Sequence, residues 1–345
     1  LFQCSGSEAN DTAIKLVWYY HNAIGKPEKR KIIARTMGYH GSTAAAVSLS
    51  GKPGMHADFG LPFEPFRHTE YPHYFRRHED GESEEAFSTR MADALEAMIL
   101  EEGPETVGAF FAEPVMGAGG AVLPPATYFE KIQAVLKKYE ILFVADEVIC
   151  GFGRTGEMWG SQTYNLEPDM ISSAKALSAA MQPISALMIN EKIYQAMLVQ
   201  SGKLGPFAHG YTYAGHPVAS AVALEVLKIY EEIDVVSRVK SISPTFMSAL
   251  EQHADHPLIG DVRGVGLMCG IELMRDGAAR VPFQAELKVS EKFQENALKH
   301  GLIPRAVGDR LVFAPPLIIT EAEIAEMSDR FGRALDDTWA EIRQL

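Results

Sequence analysis

Residues 141–147 read Ile-Leu-Phe-Val-Ala-Asp-Glu, an apolar run that ends in two carboxylates. A run this continuous in apolar residues is typical of a strand buried on both faces of a parallel sheet. Further runs of this kind alternate with amphipathic segments of helical period: the runs are residues 31–35, 107–112, 170–173 and 184–189, and the helical segments are residues 8–24, 126–139 and 217–232. This alternation predicts βαβ units, and therefore an α/β fold with a mostly parallel sheet.

The pattern changes after about residue 233, where helices and short strands are mixed. Helices are predicted at residues 236–253, 287–300 and 321–344, and short strands at residues 264–274 and 310–313. We therefore predict a large domain over residues 1–230 and a smaller C-terminal α+β domain over residues 231–345. Residues 59–85 are rich in Pro, His, Tyr and acidic side chains without either period, which predicts a long loop.

The composition excludes several classes of protein. The 345 residues are 47% hydrophobic and carry a formal net charge of -13, so the averaged field repels nucleic acids and anionic membrane surfaces. No apolar run approaches the roughly 20 residues of a membrane-spanning helix. The three cysteines are an odd number without close spacing, which argues against a disulfide framework. Because no export signal is visible, we expect a cytoplasmic protein.

Asp146 stands at the predicted carboxyl end of a buried strand, which is where open α/β sheets bind ligands. One hypothesis is that Asp146 and Glu147 hold Mg²⁺ in a nucleotide hydrolase, but the chain lacks the phosphate loop that such enzymes carry. A second is that Asp146 pairs with a protonated ring nitrogen of an organic cofactor. A third is that the two carboxylates only cap the next turn.

Two further segments carry residues suited to a phosphorylated aldehyde. Ser5, Gly6 and Ser7 run directly into a predicted helix, whose free N–H groups attract a phosphate; the alternative is a plain N-cap. Lys175 lies among small and apolar residues just after a strand, where a poorly hydrated amine becomes nucleophilic toward an aldehyde. Its alternative is an ordinary solvated lysine.

Other candidates are weaker when taken alone. Tyr39 lies between a glycine and His40 and offers a ring that can stack on a planar cofactor, although buried tyrosines more often pack in a core. His40 is either a proton shuttle or a hydrogen-bonded histidine beside a turn. Thr212 offers a hydroxyl for a phosphate within a loop rich in glycine and aromatic residues. Zinc binding by the histidines of residues 68–78 is disfavoured, because no cysteine or HExxH motif accompanies them.

The order of these motifs along the chain is specific. They read SGSEANDTA (5–13), YHGST (39–43), AEPVMGAGG (112–120), ADEVICGFGRTG (145–156), DMISSAKALS (169–178) and HGYTYAGHP (209–217). In this order they resemble the class III (omega) aminotransferases, across essentially all of the chain. The resemblance implies a pyridoxal 5'-phosphate (PLP) enzyme of fold type I, with a mostly parallel sheet sandwiched by helices in its large domain.

The resemblance also implies a role for each matching residue. Lys175 would bind the cofactor covalently and carry the proton, and Asp146 would pair with the pyridine nitrogen. Tyr39 and Val148 would lie against the two faces of the ring. Four further residues complete the implied cofactor site: Gly6 and Ser7 in the phosphate cup, Glu113 as an acid behind the ring that orients Asp146 or neighbouring polar groups, and Thr212 reaching the phosphate from a neighbouring subunit.

The implied partners are a small amine donor and a keto acid acceptor, in a homodimer or dimer of dimers with shared active sites. Residues 301–316 resemble the amine:pyruvate branch, where an arginine at the position of Arg305 binds the acceptor's carboxylate. Arg310 is close enough to be confused with Arg305, and a solvated loop arginine is the alternative. A 2-oxoglutarate-dependent relative, an aminomutase and a noncatalytic PLP-fold protein stay open.

Two departures from the family are visible. The chain begins with Leu1 and no Met, and the family carries a further segment before SGSEA, so we expect a cut start. Met181 stands where an aromatic residue is expected.

Overall fold

A computed structural model describes residues 1–343 of the chain. Their strands and helices in chain order are β1 (Phe2–Gln3), α1 (Gly6–Ala23), β2 (Lys31–Arg35), α2 (Ala44–Leu49), β3 (Phe66–Thr69), α3 (Tyr74–Arg77), α4 (Glu84–Glu102), β4 (Val107–Ala112), α5 (Tyr128–Lys138), β5 (Leu142–Asp146), α6 (Gly160–Thr163), β6 (Met170–Ser173), β7 (Ser185–Ile189), α7 (Glu191–Leu204), α8 (Pro217–Glu232), α9 (Val235–Glu251), β8 (Ile259–Val265), β9 (Met268–Leu273), α10 (Val289–Lys299), β10 (Arg305–Val307), β11 (Arg310–Phe313) and α11 (Glu321–Ile342).

A seven-stranded sheet with the order β1-β7-β6-β5-β4-β2-β3 occupies the first part of the chain. Strands β6, β5, β4, β2 and β3 run parallel to one another. Strand β7 is antiparallel to the two strands on either side of it, β6 and β1. All five predicted strands are present, and none of their bounds differs from the prediction by more than one residue. The predicted mostly parallel sheet is therefore confirmed.

Helices cover both faces of this sheet. Successive side chains of a strand point to opposite faces, so each strand contributes to a core on either side. On one face, Ile32 and Ala34 of β2 belong to a core with α1 and α7. On the other face, Ile33 belongs to a core with α4 and α5. Phe110 and Phe111 of β4 divide between the two cores in the same way. Burying each large apolar side chain contributes about 1.5–3 kcal/mol, so the two cores hold the helices against the sheet.

A second sheet has four antiparallel strands in the order β10-β11-β9-β8. Its core is formed with α9, α10 and α11, around side chains that include Phe246, Phe293 and Phe331. The predicted mixture of helices and strands after residue 233 is therefore present. The domain boundary at residue 230 stays a prediction.

Some predicted bounds were wrong. Residues 59–85 are not one long loop, because β3 and α3 lie within them. β3 was missed because its Phe-Arg-His-Thr sequence buries only its first and last residues, and parallel pairing with β2 decides its conformation. The helix predicted at residues 321–344 begins at residue 321, whereas Gln344 lies outside the described residues. Within residues 1–343, no helix is both long and apolar enough to cross a membrane.

A buried carboxylate joins the two sheets. Glu272 on β9 accepts hydrogen bonds from His73 and Arg263, both at 2.7 Å, and pairs with Arg76 of α3. Burial alone would raise the pKa of Glu272, but the hydrogen bond from His73 and the charges of Arg263 and Arg76 lower it to about 2. The segment that follows β3 is thereby attached to the second sheet.

Replacing Glu272→Gln is expected to lower the free energy of unfolding at neutral pH by about 3–5 kcal/mol, because it leaves buried cations without their anion. The folded pKa of about 2 lies below the ordinary value of 4.5. The ionised carboxylate therefore stabilises the fold fully above pH 4.5, and this contribution is lost as the pH falls toward 2. Urea unfolding of both proteins across this range measures the effect.

Asp80→Asn is the matched control, because it also removes an ion pair, with Arg280, but at a carboxylate that is 99% exposed. We expect the control to change the free energy of unfolding by about 1 kcal/mol or less. A pH dependence in Glu272→Gln equal to that of the unmodified protein would contradict the role of Glu272.

Candidate active site

A cleft lies at the carboxyl ends of four adjacent parallel strands, β6, β5, β4 and β2. The polar residues predicted from the sequence come where these strands end. Lys175 follows β6, Asp146 is the last residue of β5, Glu113 follows β4 and Tyr39 follows β2. Since parallel strands end at the same edge of a sheet, the topology brings together residues far apart in the chain.

The cleft has a volume of about 190 Å³. Its lining includes most of the predicted site residues and four that were not predicted to line it: Gly6, Ser7, Tyr39, Glu113, Asp146, Val148 and Lys175 were predicted, and His40, Gly41, Ile149 and Ala174 were not. Thr212 and Arg305 lie outside this lining and are described below.

Asp146 is buried and held by three donors. Its Oδ2 accepts hydrogen bonds from His40 Nδ1 and Asn10 Nδ2, both at 2.8 Å, and its Oδ1 accepts from the Val148 N–H at 3.1 Å. Burial alone would raise the pKa of Asp146, but the hydrogen bonds from His40 and Asn10 outweigh it and hold the pKa below its usual value. The carboxylate is therefore ionised at neutral pH.

The sequence left the role of His40 open between two alternatives and assigned Asn10 no role in the site. His40 is indeed a hydrogen-bonded histidine, and its Nδ1 carries the proton because an ionised carboxylate can only accept. Asn10 also donates to the His40 carbonyl at 2.7 Å, which ties α1 to the turn after β2. The signal available in the sequence was a polar residue, Asn10, on the side of this helix that is otherwise apolar.

Lys175 stands in the left-handed backbone region, with φ of 43°, immediately after β6. This conformation is uncommon for a residue with a side chain and is found at functional sites. The side chain is exposed to the cleft in this single chain, yet the surrounding protein lowers the pKa of its amine. Loss of solvation among the surrounding protein groups is the main cause, the charge of Arg305 adds to it, and Asp146 and Glu113 act in the opposite direction. A larger neutral, nucleophilic fraction of the amine follows.

Glu113 positions backbone rather than Asp146. Its Oε1 accepts from the Tyr39 N–H and its Oε2 from the Gly117 N–H, both at 3.0 Å. Burial raises the pKa of Glu113. The carboxyl group therefore sets the backbone position of Tyr39, whose ring lines the cleft together with Val148.

The N-terminus of α1 opens into the cleft. The first backbone hydrogen bond of this helix runs from Ala9 N to Ser5 O, so the N–H groups of Gly6 and Ser7 precede it and are available to an anion. Ser5 is also the N-cap, accepting from the Glu8 N–H, so the N-cap alternative is confirmed for Ser5, and the phosphate site at Gly6 and Ser7 stays a prediction. Gly41, with φ of 144°, has no room for a side chain, because a Cβ would lie 2.6 Å from Ser7 Oγ.

Glu147 has a structural role. Its carboxylate accepts hydrogen bonds from the Gly160 N–H and from the N–H and hydroxyl of Ser161, at the start of α6. The hypothesis that both carboxylates only cap the next turn is therefore wrong: Asp146 accepts from the Val148 N–H in that turn but also lines the cleft, and the buried Glu147 bonds the start of α6 instead. Because Asp146 and Glu147 both face hydrogen-bond donors, this donor set does not fit a Mg²⁺ site. Within residues 1–343, no group of three His, Cys, Asp or Glu residues lies together as metal ligands would.

Thr212 and Arg305 are both exposed. Thr212 follows Tyr211, whose hydroxyl donates to the Glu8 carbonyl at 3.4 Å, so its loop runs beside the start of α1. Arg305 opens β10, and its charge acts on Lys175. Arg310, unlike Arg305, is buried. Its Nη1 donates to the Gly119 carbonyl at 2.8 Å. Met181 is 71% exposed and takes no part in the cleft.

Comparison with known proteins agrees with this geometry. The family described as "Aminotransferase class-III" matches residues 1–335. Gamma aminobutyrate transaminase 3, chloroplastic, of Solanum lycopersicum is 52% identical over 344 residues, which are 100% of this chain and 66% of that protein. Vanillin aminotransferase of Capsicum annuum is 51% identical over 100% of this chain and 75% of that protein. The cytoplasmic location predicted from the sequence stays a prediction.

Solved structures match just as closely. The omega transaminase from Pseudomonas jessenii in complex with PMP has a TM-score of 0.97 and 50% sequence identity, and the match covers 99% of this chain and 76% of that one. The chain therefore spans about two thirds to three quarters of the length of these proteins.

Proposed function

The chain belongs to the class III aminotransferases, and from this premise we propose that it moves an amino group from a primary amine or omega-amino acid to pyruvate. The observation that carries the proposal is the juxtaposition, in one cleft, of the Lys175 amine and the ionised Asp146. A nucleotide hydrolase does not need both groups in this arrangement.

Class III aminotransferases use PLP, and the cleft fits this group. PLP has a phosphate, an aldehyde and a ring nitrogen, and each has a matching partner here. The N–H groups of Gly6 and Ser7 suit the phosphate, the Lys175 amine suits the aldehyde, and the Asp146 carboxylate suits a protonated ring nitrogen. Gly41 packs directly against Ser7, a close approach that a Cβ would prevent, and this contact shapes the backbone beside the proposed phosphate site.

When bound, PLP supplies an electron-withdrawing ring that stabilises negative charge on the carbon that reacts. Asp146 keeps the ring nitrogen protonated, because an ionised carboxylate beside it favours the charged form. His40 and Asn10 keep Asp146 ionised and oriented. Tyr39 and Val148 confine the ring between them.

Lys175 acts twice in the proposed reaction. Its amine would hold the cofactor and, once free, would carry the proton away from the substrate carbon. Both steps require a neutral amine. The lowered pKa of Lys175, caused mainly by burial, supplies it.

The substrate class is supported by Arg305 and by the relatives. Arg305 presents an exposed guanidinium whose charge reaches Lys175, which suits the carboxylate of a keto acid. One relative is named for gamma aminobutyrate, which is an omega-amino acid, and another is named for vanillin. We therefore propose that the donor is a primary amine of either kind and that pyruvate is the acceptor.

The proposed function is tested with purified protein loaded with PLP. Visible absorption is recorded after a benzylic amine or gamma-aminobutyrate is added, and again after pyruvate. We expect the amine to bleach the absorption and pyruvate to restore it. Restoration by 2-oxoglutarate alone would replace pyruvate as the acceptor, and no response to any donor would contradict an aminotransferase.

Lys175→Ala is expected to abolish this amino-group transfer, since no other amine lines the cleft among the described residues. Lys192→Ala is the matched control, because it removes an exposed lysine on α7 that pairs with Asp169. Alanine formation from pyruvate measures both. Full transfer by Lys175→Ala would refute the assignment of Lys175.

Arg305→Gln is expected to raise the KM for pyruvate by about 10- to 100-fold, because a charge-assisted hydrogen bond to the carboxylate is lost. The KM for a benzylic amine, which has no carboxylate, should not change. Arg333→Gln, which removes an exposed arginine paired with Asp329 on α11, is the control. Equal changes in both KM values would argue against a carboxylate site at Arg305.

We also propose that the chain forms a homodimer in which Thr212 completes the phosphate site of the neighbouring subunit. Thr212 lies outside the cleft of its own chain. The next helix, α8, leaves large apolar side chains exposed, including Val218 at 54% and Leu224 at 61%. An exposed apolar surface of this kind is typical of an interface between copies.

Mixing two defective variants tests this arrangement. Thr212→Ala is expected to weaken PLP binding roughly tenfold, by removing one hydrogen bond to the phosphate. In a dimer of Lys175→Ala with Thr212→Ala, one site regains both native residues only if Thr212 is contributed across the interface. Transfer at limiting PLP should then exceed the sum of the two separate variants. No gain after subunit exchange would place Thr212 outside the neighbouring site.

A further inference from the structure

The loop of residues 117–121 is held by cationic side chains from three separate elements. Lys52 donates to the Ala118 carbonyl at 2.7 Å, and Arg310 of β11 donates to the Gly119 carbonyl at 2.8 Å. Arg263 of β8 donates to the next two carbonyls, at 2.8 Å and 3.1 Å. Four consecutive backbone carbonyls are thus occupied by charged donors.

The same loop begins at the cofactor cleft. The Gly117 N–H donates to Glu113, whose other oxygen accepts from the Tyr39 N–H. The loop then packs directly on the second sheet at Gly270 of β9, where a Cβ would lie 2.5 Å from the Gly120 carbonyl oxygen. It therefore connects the wall of the cleft to the sheet that carries Arg305.

Arg310 links this loop to the β10–β11 hairpin. Its Nε donates to the Val307 carbonyl at 3.2 Å within the hairpin, while its Nη1 reaches Gly119. Its aliphatic part packs against Gly120, where a Cβ would lie 2.6 Å from Arg310 Cδ. Arg305 pairs with Val312 in the same hairpin, so a shift of the hairpin against the loop would move Arg305.

We propose that Arg310 is a positioning residue that sets the place of the Arg305 guanidinium relative to the cleft, and thereby tunes the affinity for the keto acid. This inference rests on the proposed function, in which Arg305 binds the acceptor's carboxylate. Arg310 does not bind the acid itself, because its side chain is buried and directed to backbone carbonyls.

The surroundings of Arg305 explain why its position has to be maintained. Burial lowers the pKa of Lys52, and the charges of Arg305 and Arg310 lower it further, although Glu113 acts in the opposite direction. Three cations therefore lie close enough to repel one another. The carbonyls of Ala118 and Gly119 hold Lys52 and Arg310 in place, and Arg305 is the exposed cation left to meet an incoming carboxylate.

The test compares Arg310→Gln in two backgrounds, the unmodified protein and Arg305→Gln. With Arg305 present, Arg310→Gln is expected to raise the KM for pyruvate roughly 3- to 10-fold and to leave kcat and the amine KM unchanged. With Arg305→Gln already in place, it should cause no further rise. A general structural defect would instead lower kcat in both backgrounds.

A second readout does not depend on turnover. The dissociation constant of propanoate, a monocarboxylate without a keto group, is measured by calorimetry on the same four proteins. It should follow the pyruvate KM. Arg310→Lys, which keeps the charge and a donor for Gly119, should recover part of the affinity and replaces Arg310→Gln if that variant does not fold.

Arg238→Gln is the matched control, because it removes guanidinium bonds from α9 to the Ile318 and Ile319 carbonyls in the loop before α11. It should leave the pyruvate KM unchanged. An equal rise from Arg310→Gln in both backgrounds, or no rise in either, would overturn the positioning role while leaving the effect of Arg305→Gln intact. If Arg305→Gln itself has no effect on pyruvate, the proposed acceptor site falls as well.

Discussion

The hydrogen bonds that hold the Asp146 carboxylate are the constraint on which the rest of the site depends. A buried carboxylate ordinarily becomes harder to ionise, and here two side-chain donors, His40 and Asn10, reverse that tendency. These donors come from the turn after β2 and from the inner face of α1, so the charge state of Asp146 requires both elements to be in place. Lys175 follows the adjacent strand and loses basicity through burial. One edge of the sheet therefore holds an anion and a nucleophilic amine that the chain separates by 28 intervening residues.

The second sheet contributes to the same site through backbone contacts. Arg263 and Arg310 place their guanidinium groups on the carbonyl oxygens of residues 119–121, and the buried Glu272 accepts from His73 in the segment that follows β3. Such bonds are short-ranged and directional, so they determine where a strand lies more closely than apolar packing does. Gly120 and Gly270 allow this approach, since a Cβ on Gly120 would meet Arg310 and a Cβ on Gly270 would meet the Gly120 carbonyl oxygen. The exposed Arg305 can be positioned only because the neighbouring cations are already bonded.

Much of the fold and the site could be predicted along the chain because the signals are local. The strand at residues 107–112 is apolar throughout, and its predicted bounds agree with the structure. The strand β3 gave no such signal, because pairing with β2 rather than its own composition makes it a strand. The same distinction applies to side chains. Lys175 and Asp146 were found from their places at strand ends, whereas Asn10 looked like one more residue of an amphipathic helix.

The sequence by itself determined the α/β class, the family resemblance and the residue types that a PLP site requires, because periodicity and short motifs are properties of neighbouring residues. Tertiary structure alone decided which polar groups meet. It separated Asp146 from Glu147, one ionised beside the cleft and the other capping α6, although they are adjacent in sequence. It likewise separated the buried Arg310 from the exposed Arg305. The physical reason is that a side chain's charge state and partners depend on burial and on contacts made across the chain, which no local pattern records.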